Sequence, residues 1–153
     1  MDLLTLSSQL ESLLINNGLA GDYQGVSMKP YNFVSQPSST LGLRIGGVNY
    51  NPVSKIKSTQ WYIGKLFVIA NNDIQGASII AAQYITDVVG ILADWFLTCA
   101  TGIRQVKGLS GNHKIYQDTT AATALRQVCN ISDSIVTTNW VCAIYITIDL
   151  EYV

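Results

Sequence analysis

From Trp140 to Val153 the chain alternates with almost no fault. Trp140, Cys142, Ile144, Ile146, Ile148, Leu150 and Tyr152 point one way; Val141, Ala143, Tyr145, Thr147, Asp149, Glu151 and Val153 point the other. A period of two is the mark of a β-strand with one buried face. Chain ends fray unless something ties them down. A strand this long and apolar therefore predicts either a central place in a sheet or cover by another subunit. Its even face needs a helix to pack on. Its odd face, ending in Asp149 and Glu151, is only weakly apolar and predicts a surface turned to solvent. We read it as a central element of one subunit's sheet.

The 153 residues make a single domain, 1–153, of a size at which about two-thirds of the unfolded surface is buried. Apolar residues are 48% of the chain and charged residues only 12%, against about 25% charged in a typical soluble domain. Charge normally covers solvated surface, so the shortfall predicts that surface is hidden, in a membrane or in an assembly. The longest apolar stretch, Ile79 to Cys99, is long enough to span a bilayer. Gln83, Asp87 and Asp94 interrupt it, and acids inside a membrane are costly. The expectation is an assembly and no membrane. No basic residue precedes the N-terminal leucines, so the start does not read as a signal peptide. A reducing cytoplasm fits the three cysteines, Cys99, Cys129 and Cys142, whose odd count and spacing give neither a disulfide framework nor a zinc site. Net charge is −1 with no run of like charges, which offers no generic nucleic-acid surface.

Leu3, Leu6, Leu10, Leu13 and Leu14 form one helical stripe that Gly18 ends. Ser8 and Glu11 have capping-box spacing, which predicts a regular helix starting as late as Ser8. Residues 18–40 read as loop with short extended pieces such as Tyr31 to Val34. Leu41 to Ile45 is a candidate strand, broken by Gly46-Gly47 and Asn51-Pro52. The stretch from Val53 to Gln60 reads as an exposed loop or hairpin tip carrying Lys55 and Lys57. Gln60 to Ala70 is a strong strand. Trp61, Ile63, Phe67 and Ile69 lie on one face, and the other face is also mostly apolar, which predicts burial on both sides. Asn72 and Gln75 resemble a capping box for a long helix from Gly76 to about Cys99. The polar stripe of that helix, Gln83, Asp87, Gly90, Asp94 and Thr98, is narrow, so its apolar circumference predicts contact with the sheet and with something more. Gly102 to Lys114, with Arg104, Lys107, His113 and Lys114, reads as a basic, irregular loop. Thr119 to Val128 fits a short helix capped by Asp118 or an extended segment, and Ile131 to Thr138 leads into Trp140. The order predicts an α+β fold: one mainly antiparallel sheet with an N-terminal helix and a long central helix packed on it.

Catalytic signals are sparse. His113 is the single histidine, and a lone loop histidine needs partners to act as a general base. Ser110 lies in Gly108-Leu109-Ser110-Gly111, which is not a G-x-S-x-G elbow. Asp87 and Asp94 share a helix face and read as a solvated stripe or as partners for a neighbour's lysines. No phosphate-binding glycine motif occurs. No enzyme activity, metal or cofactor is expected. The basic loops around Lys55/Lys57 and Arg104/Lys107 read as solubilising charge or as contacts with an acidic partner or passing DNA.

The order of elements resembles the tail terminator proteins of long-tailed bacteriophages. The matching pieces are Leu3–Asn17, Leu41–Ile45, Gln60–Ala70, Gly76–Cys99 and Trp140–Val153. The local likenesses are Ser58-Thr59-Gln60-Trp61 and Thr138-Asn139-Trp140, each entering its strand. The resemblance implies a structural virion protein, assembled in the host cytoplasm. It implies a homo-oligomeric, hexameric ring that caps the tail tube and joins it to a head-side connector or stopper protein. Subunit sheets would lie side by side around a channel that passes DNA without reading it, closed by a heterologous interface. On this reading Trp61, Ile63, Phe67, Tyr84 and Trp95, with Lys55, Lys57, Arg104 and Lys107, are the candidate interface residues. The alternatives are another neck or tail-tube subunit, a small α+β ligand-binding or enzyme domain, and a membrane-associated protein.

Overall fold

The computed structural model describes residues 3–31, 41–98, 103–117 and 140–152. The expectations for Val34, Cys99, Cys129, Thr119 to Val128 and Ile131 to Thr138 lie outside these. Helix α1 (Leu3–Asn16) and strand β1 (Lys29–Pro30) are followed by strands β2 (Leu43–Tyr50) and β3 (Lys57–Val68). Helix α2 (Ile74–Thr98) then leads to β4 (Ile103–Tyr116) and β5 (Val141–Tyr152). The five strands make one antiparallel sheet in which β5 lies between β3 and β4. β1 and β2 share the far edge of β3. Both helices pack on the same face, which makes the fold α+β as expected.

The alternation of β5 is borne out by its burial. Cys142, Ile144, Ile146, Ile148, Leu150 and Tyr152 enter the main core with Trp61, Ile63, Phe67 and Ile69 of the β3 segment. The helices contribute Leu6, Leu10 and Leu14 of α1, and Ala77, Ala81, Tyr84, Val88, Leu92 and Trp95 of α2. Each fully buried large apolar side chain stabilises by about 1.5–3 kcal/mol, so this layer dominates the folding energy. On the opposite face Leu66, Val141 and Ala143 form a smaller cluster with Tyr31. β3 is thus buried on both sides near its end, as its two apolar faces predict.

Local signals fix the helix ends. After α1, Gly18 sits at φ +72°, with Leu19 N–H bonded to Leu14 C=O (2.9 Å) and Gly18 N–H to Ile15 C=O (3.1 Å). That is the paired closure of a Schellman motif. Ser8 and Glu11 lie inside α1, so their spacing does not mark its start; the leucine stripe already carries the helix from Leu3. The cap of α2 is Asp73, not Asn72: the Asp73 carboxylate accepts the Gly76 N–H at 3.1 Å. Asn72 instead accepts the Trp140 N–H at 2.9 Å, and Ile69 N–H bonds Trp140 C=O at 2.8 Å. These bonds anchor the start of β5 to the turn before α2.

Two strand expectations are corrected. Gly46-Gly47 does not end β2 but forms a bulge between Ile45 and Val48, after which pairing resumes to Tyr50↔Lys57. From Ile103 on, the stretch expected as an irregular loop is most of β4, which pairs with β5 from Ile103↔Tyr152 to Tyr116↔Val141. Its inward positions are Leu109, Gly111, His113 and Ile115, set opposite Ile148, Ile146, Ile144 and Cys142. Gly111 is there because α2 comes close: a Cβ would lie 2.5 Å from the Ile85 Cγ2.

The edge of β3 is divided at Gly64. Its N–H donates to Gly42 C=O (3.2 Å) and its C=O accepts Tyr31 N–H (2.9 Å), so one residue joins the β2 and β1 ends. Gly42 has φ +73°, and a Cβ there would sit 2.2 Å from the Gly64 carbonyl oxygen. Both conformation and space demand glycine. Gly42→Ala is expected to destabilise by roughly 3 kcal/mol, read as a lower urea midpoint. A variant as stable as the parent would show that the Gly42–Gly64 junction is not rigid.

Candidate functional site

The space between the helices and the sheet is filled by the main core, which leaves the opposite sheet face, the sheet edges and the outer surfaces of the helices as candidate working surfaces. In β3, β5 and β4 the alternate residues turn to a face on which no described helix packs. Its centre carries Ser58, Gln60 and Tyr62, set opposite Glu151, Asp149 and Thr147. These in turn face Gln105, Gly108 and Ser110 of β4, followed by Asn112 and Lys114. The Arg44 guanidinium lies 4.6 Å from the centre of the Tyr62 ring, and the Lys114 ammonium 4.9 Å from that of Tyr116. Lys107 pairs with Glu151 at 3.8 Å, a half-exposed pair worth under about 1 kcal/mol. The face is a wall of hydroxyls, amides and phenols, with cations and acids in near balance.

Among the described residues the sheet has two open sides. No described strand pairs with the outer edge of β4 or of β2. The β2 side also carries uncovered apolar groups: Ile45, Val48 and Tyr50 are exposed, and Val53, at the hairpin tip, is 93% exposed.

Five of the residues expected at a subunit interface belong to the chain's own interior. Trp61, Ile63 and Tyr84 have no exposed surface, and Phe67 and Trp95 have almost none. The physical reason is that the helix-side face of β3 and the Ala77–Trp95 stripe of α2 are used by the intramolecular core, while other apolar positions of α2, such as the half-exposed Ile79, are left outside it. Trp61 even buries its indole N–H without a partner. Tyr84 donates its hydroxyl to Leu19 C=O at 2.6 Å. Three of the basic candidates, Lys55, Lys57 and Lys107, are peripheral. Lys55 sits at the hairpin tip with φ +60°, Lys57 begins β3 with its ammonium near the Tyr152 ring, and Lys107 lies on β4 beside Glu151. Arg104 also falls in β4. The structure keeps Lys55, Lys57 and Lys107 outside the core that holds Trp61, Ile63, Phe67, Tyr84 and Trp95.

His113 is not a solitary loop residue: on β4 its Nε2 lies 3.2 Å from the Ser78 Oγ of α2. Ser78 is 35 positions away in sequence, and no local motif could link them. A serine–histidine contact is the first requirement of nucleophilic catalysis, but an orienting third group and a substrate site are also needed. Neither residue lines the described cavities. These are a groove of about 690 Å³ along α1 beside Trp95 and a polar one of about 490 Å³ at the hairpin base. The third is a small pocket of about 110 Å³ beside Phe67 and Ile80. Among the described residues no cluster of His, Cys, Asp or Glu could hold a metal.

Residues Ile74–Phe96 are long and apolar enough to cross a membrane by length and composition alone. Mostly buried core helices pass the same test; here the Ala77–Trp95 stripe is core, while 28% of the apolar window as a whole is buried. Compared with protein-family models, curated proteins and solved structures, the chain finds no match.

A feature that composition conceals is Lys65. It sits fully buried on the helix side of β3, its ammonium donating to Ala20 C=O at 2.5 Å. Burial pulls its pKa from 10.5 to about 8, a penalty on the order of 3 kcal/mol for the charged form. Tyr84 to Leu19, Lys65 to Ala20 and the Tyr23 hydroxyl to Asp87 (2.5 Å) together fasten the 19–23 loop over the core.

The sign of the linkage follows. Between about pH 8 and 10.5 the unfolded chain holds the Lys65 proton more tightly than the folded one, so stability rises with pH. Burial pushes Cys142 up from 9.0 and Tyr23 up from 10.0, both to about 12, and raises Tyr84 and Tyr145 as well. For these the folded state holds the proton, and stability falls once pH passes their unfolded values. Urea unfolding should therefore show a gain of about 1 kcal/mol from pH 7 to 9 and a fall above 10. Lys65→Met should abolish the gain. A wild-type profile flat over pH 7 to 9 would contradict the buried ammonium.

Proposed function

We propose that this chain is a structural subunit of a ring, of the tail-terminator type, whose sheet face opposite α1 and α2 lines a channel. The supporting observation is the make-up of that face. A channel that lets DNA slide should be wettable yet hold phosphates weakly. Affinity for DNA grows steeply with the number of phosphates neutralised. Ser58, Gln60, Tyr62, Ser110, Asn112 and Thr147 supply wetting without charge. Arg44, Lys107 and Lys114 are balanced in part by Asp149 and Glu151. The helices then form the outer layer, and the two open edges give neighbours on either side.

In this reading the protein has no catalytic role. About six copies close a ring that caps the tail tube and meets the head-side connector or stopper in the virion neck. The test is direct. Negative-stain images and native mass of the purified protein, alone and mixed with tail tubes, are expected to show rings of about six copies, free or at tube ends. A protein that stays monomeric and leaves tube ends bare would overturn the reading. The Ser78–His113 contact favours the enzyme alternative, and hydrolysis of ester substrates lost in both Ser78→Ala and His113→Ala would move the assignment there.

A further inference from the structure

We propose that copies of this chain join head to tail by backbone pairing of the β2 edge of one copy with the β4 edge of the next, extending one sheet across the contact. The ring reading above enters only in supposing that such contacts close.

Three observations carry this. The first is strand direction. Reading β2, β3, β5, β4 across the sheet, each strand is antiparallel to its neighbour. With four strands in the series the two edges run in opposite senses. A copy placed alongside in the same orientation therefore meets β4 with its β2 antiparallel, and the ladder continues without reversal.

The second is a mismatch in the helix layer. Ile45 and Tyr50 pair with Trp61 and Lys57, so Ile45, Val48 and Tyr50 belong to the helix side of the sheet. Yet the helices do not reach them: they are 40%, 52% and 56% exposed. β4, at the other edge, is covered by α2, through Ile85 against Gly111 and Ser78 against His113. Joining the edges brings the α2 of one copy beside the uncovered apolar row of its neighbour. The deficit of one edge matches the surplus of the other, which singles out a second copy as the occupant.

The third is the state of the β4 edge. Natural edges are guarded by bulges, prolines or inward-pointing charge. The bulges of β4 are confined to its first part, and from Gly108↔Asp149 to Tyr116↔Val141 its register is unbroken. β2 lies level with the first half of β4, because it pairs with the Lys57–Ile63 part of β3. Pairing β2 with the regular second half requires a stagger between copies, and stagger with strand tilt is what closes a sheet on itself.

Hydrogen exchange read by mass spectrometry, on dilute monomer and on concentrated assembly, tests the contact. The expected result is new protection confined to peptides covering 43–50 and 108–116, while β3 and β5 amides are already protected in the monomer. Val48→Lys and Tyr50→Lys change exposed side chains, so the fold should persist by circular dichroism while the assembly midpoint moves up by about tenfold or more. Assemblies that gain protection only on the helices, or that form equally well with both lysine variants, would overturn edge pairing and leave the ring reading standing. A protein that remains monomeric at every concentration would also overturn edge pairing; tube capping then decides the ring reading separately.

Discussion

Twelve consecutive backbone pairs between β3 and β5, from Lys57↔Tyr152 to Val68↔Val141, are the constraint on which the other elements depend. The two strands are equal in length and unbroken, so their side chains fall into register rows along both faces. One set of rows, Trp61, Ile63, Ile146 and Ile148 at its centre, is apolar enough to hold α1 and α2. The remaining strands attach to the outer edges of this pair. β4 adds to β5 and follows its register, bulging at two points. β2 and β1 divide the far edge of β3 between them, with Gly64 as the shared residue. A slip of one residue in the central ladder would turn Trp61 and Ile146 outward, so the register is locked by the burial it creates.

This explains which parts of the fold were legible from the chain alone. β5 was plain because every inward position is large and apolar. α1 was plain because its leucines recur on one stripe and Gly18 closes it. β4 was hidden although it also alternates. Two of its inward positions are Gly111 and His113, chosen by the nearness of α2 rather than by hydrophobicity, so its period of two is diluted. The Asn72/Asp73 ambiguity has a similar origin. Either residue can cap a helix, and the side chain of Asn72 is taken by Trp140, a partner 68 positions away. The pairing of Ser78 with His113 and the burial of Lys65 likewise arise from tertiary approach and leave no mark in local spacing.

The low charge of the chain has a different explanation from the one composition first suggests. Hidden surface was expected at the Trp61–Ile69 strand and the outer arc of α2. The structure places Trp61, Ile63, Phe67, Tyr84 and Trp95 in the core, which accounts for their hydrophobicity without a partner. Part of the remaining surface is polar without being ionised: Ser58, Gln60, Tyr62, Ser110, Asn112 and Thr147 share the outward rows of β3, β4 and β5 with Lys114, Asp149 and Glu151. Such groups keep a face wet through hydrogen bonds to water, and do so without the phosphate affinity that lysine and arginine would bring. Apolar surface left to offer another chain lies at β2 and its hairpin, and on the helices at Leu4, Ile15 and Ile79.

A buried lysine belongs to the same logic of placement. A charged hydrogen bond to Ala20 C=O returns about 1.5–3 kcal/mol, comparable to the cost of burying the ammonium, so Lys65 adds little net stability. What it adds is position. Together with the Tyr84 and Tyr23 hydroxyls it fixes the loop after α1 at Leu19, Ala20 and Tyr23, adding directional bonds to side chains that are already buried in the main core. That loop leads into β1, whose Lys29 and Pro30 pair with Leu66 and Lys65 itself. The residue that holds the loop is thus also a rung of the strand the loop delivers. Polar specification at this edge of β3 and apolar register at its other edge act on the same twelve residues, which is why the central strand can serve both the core and the open faces of the sheet.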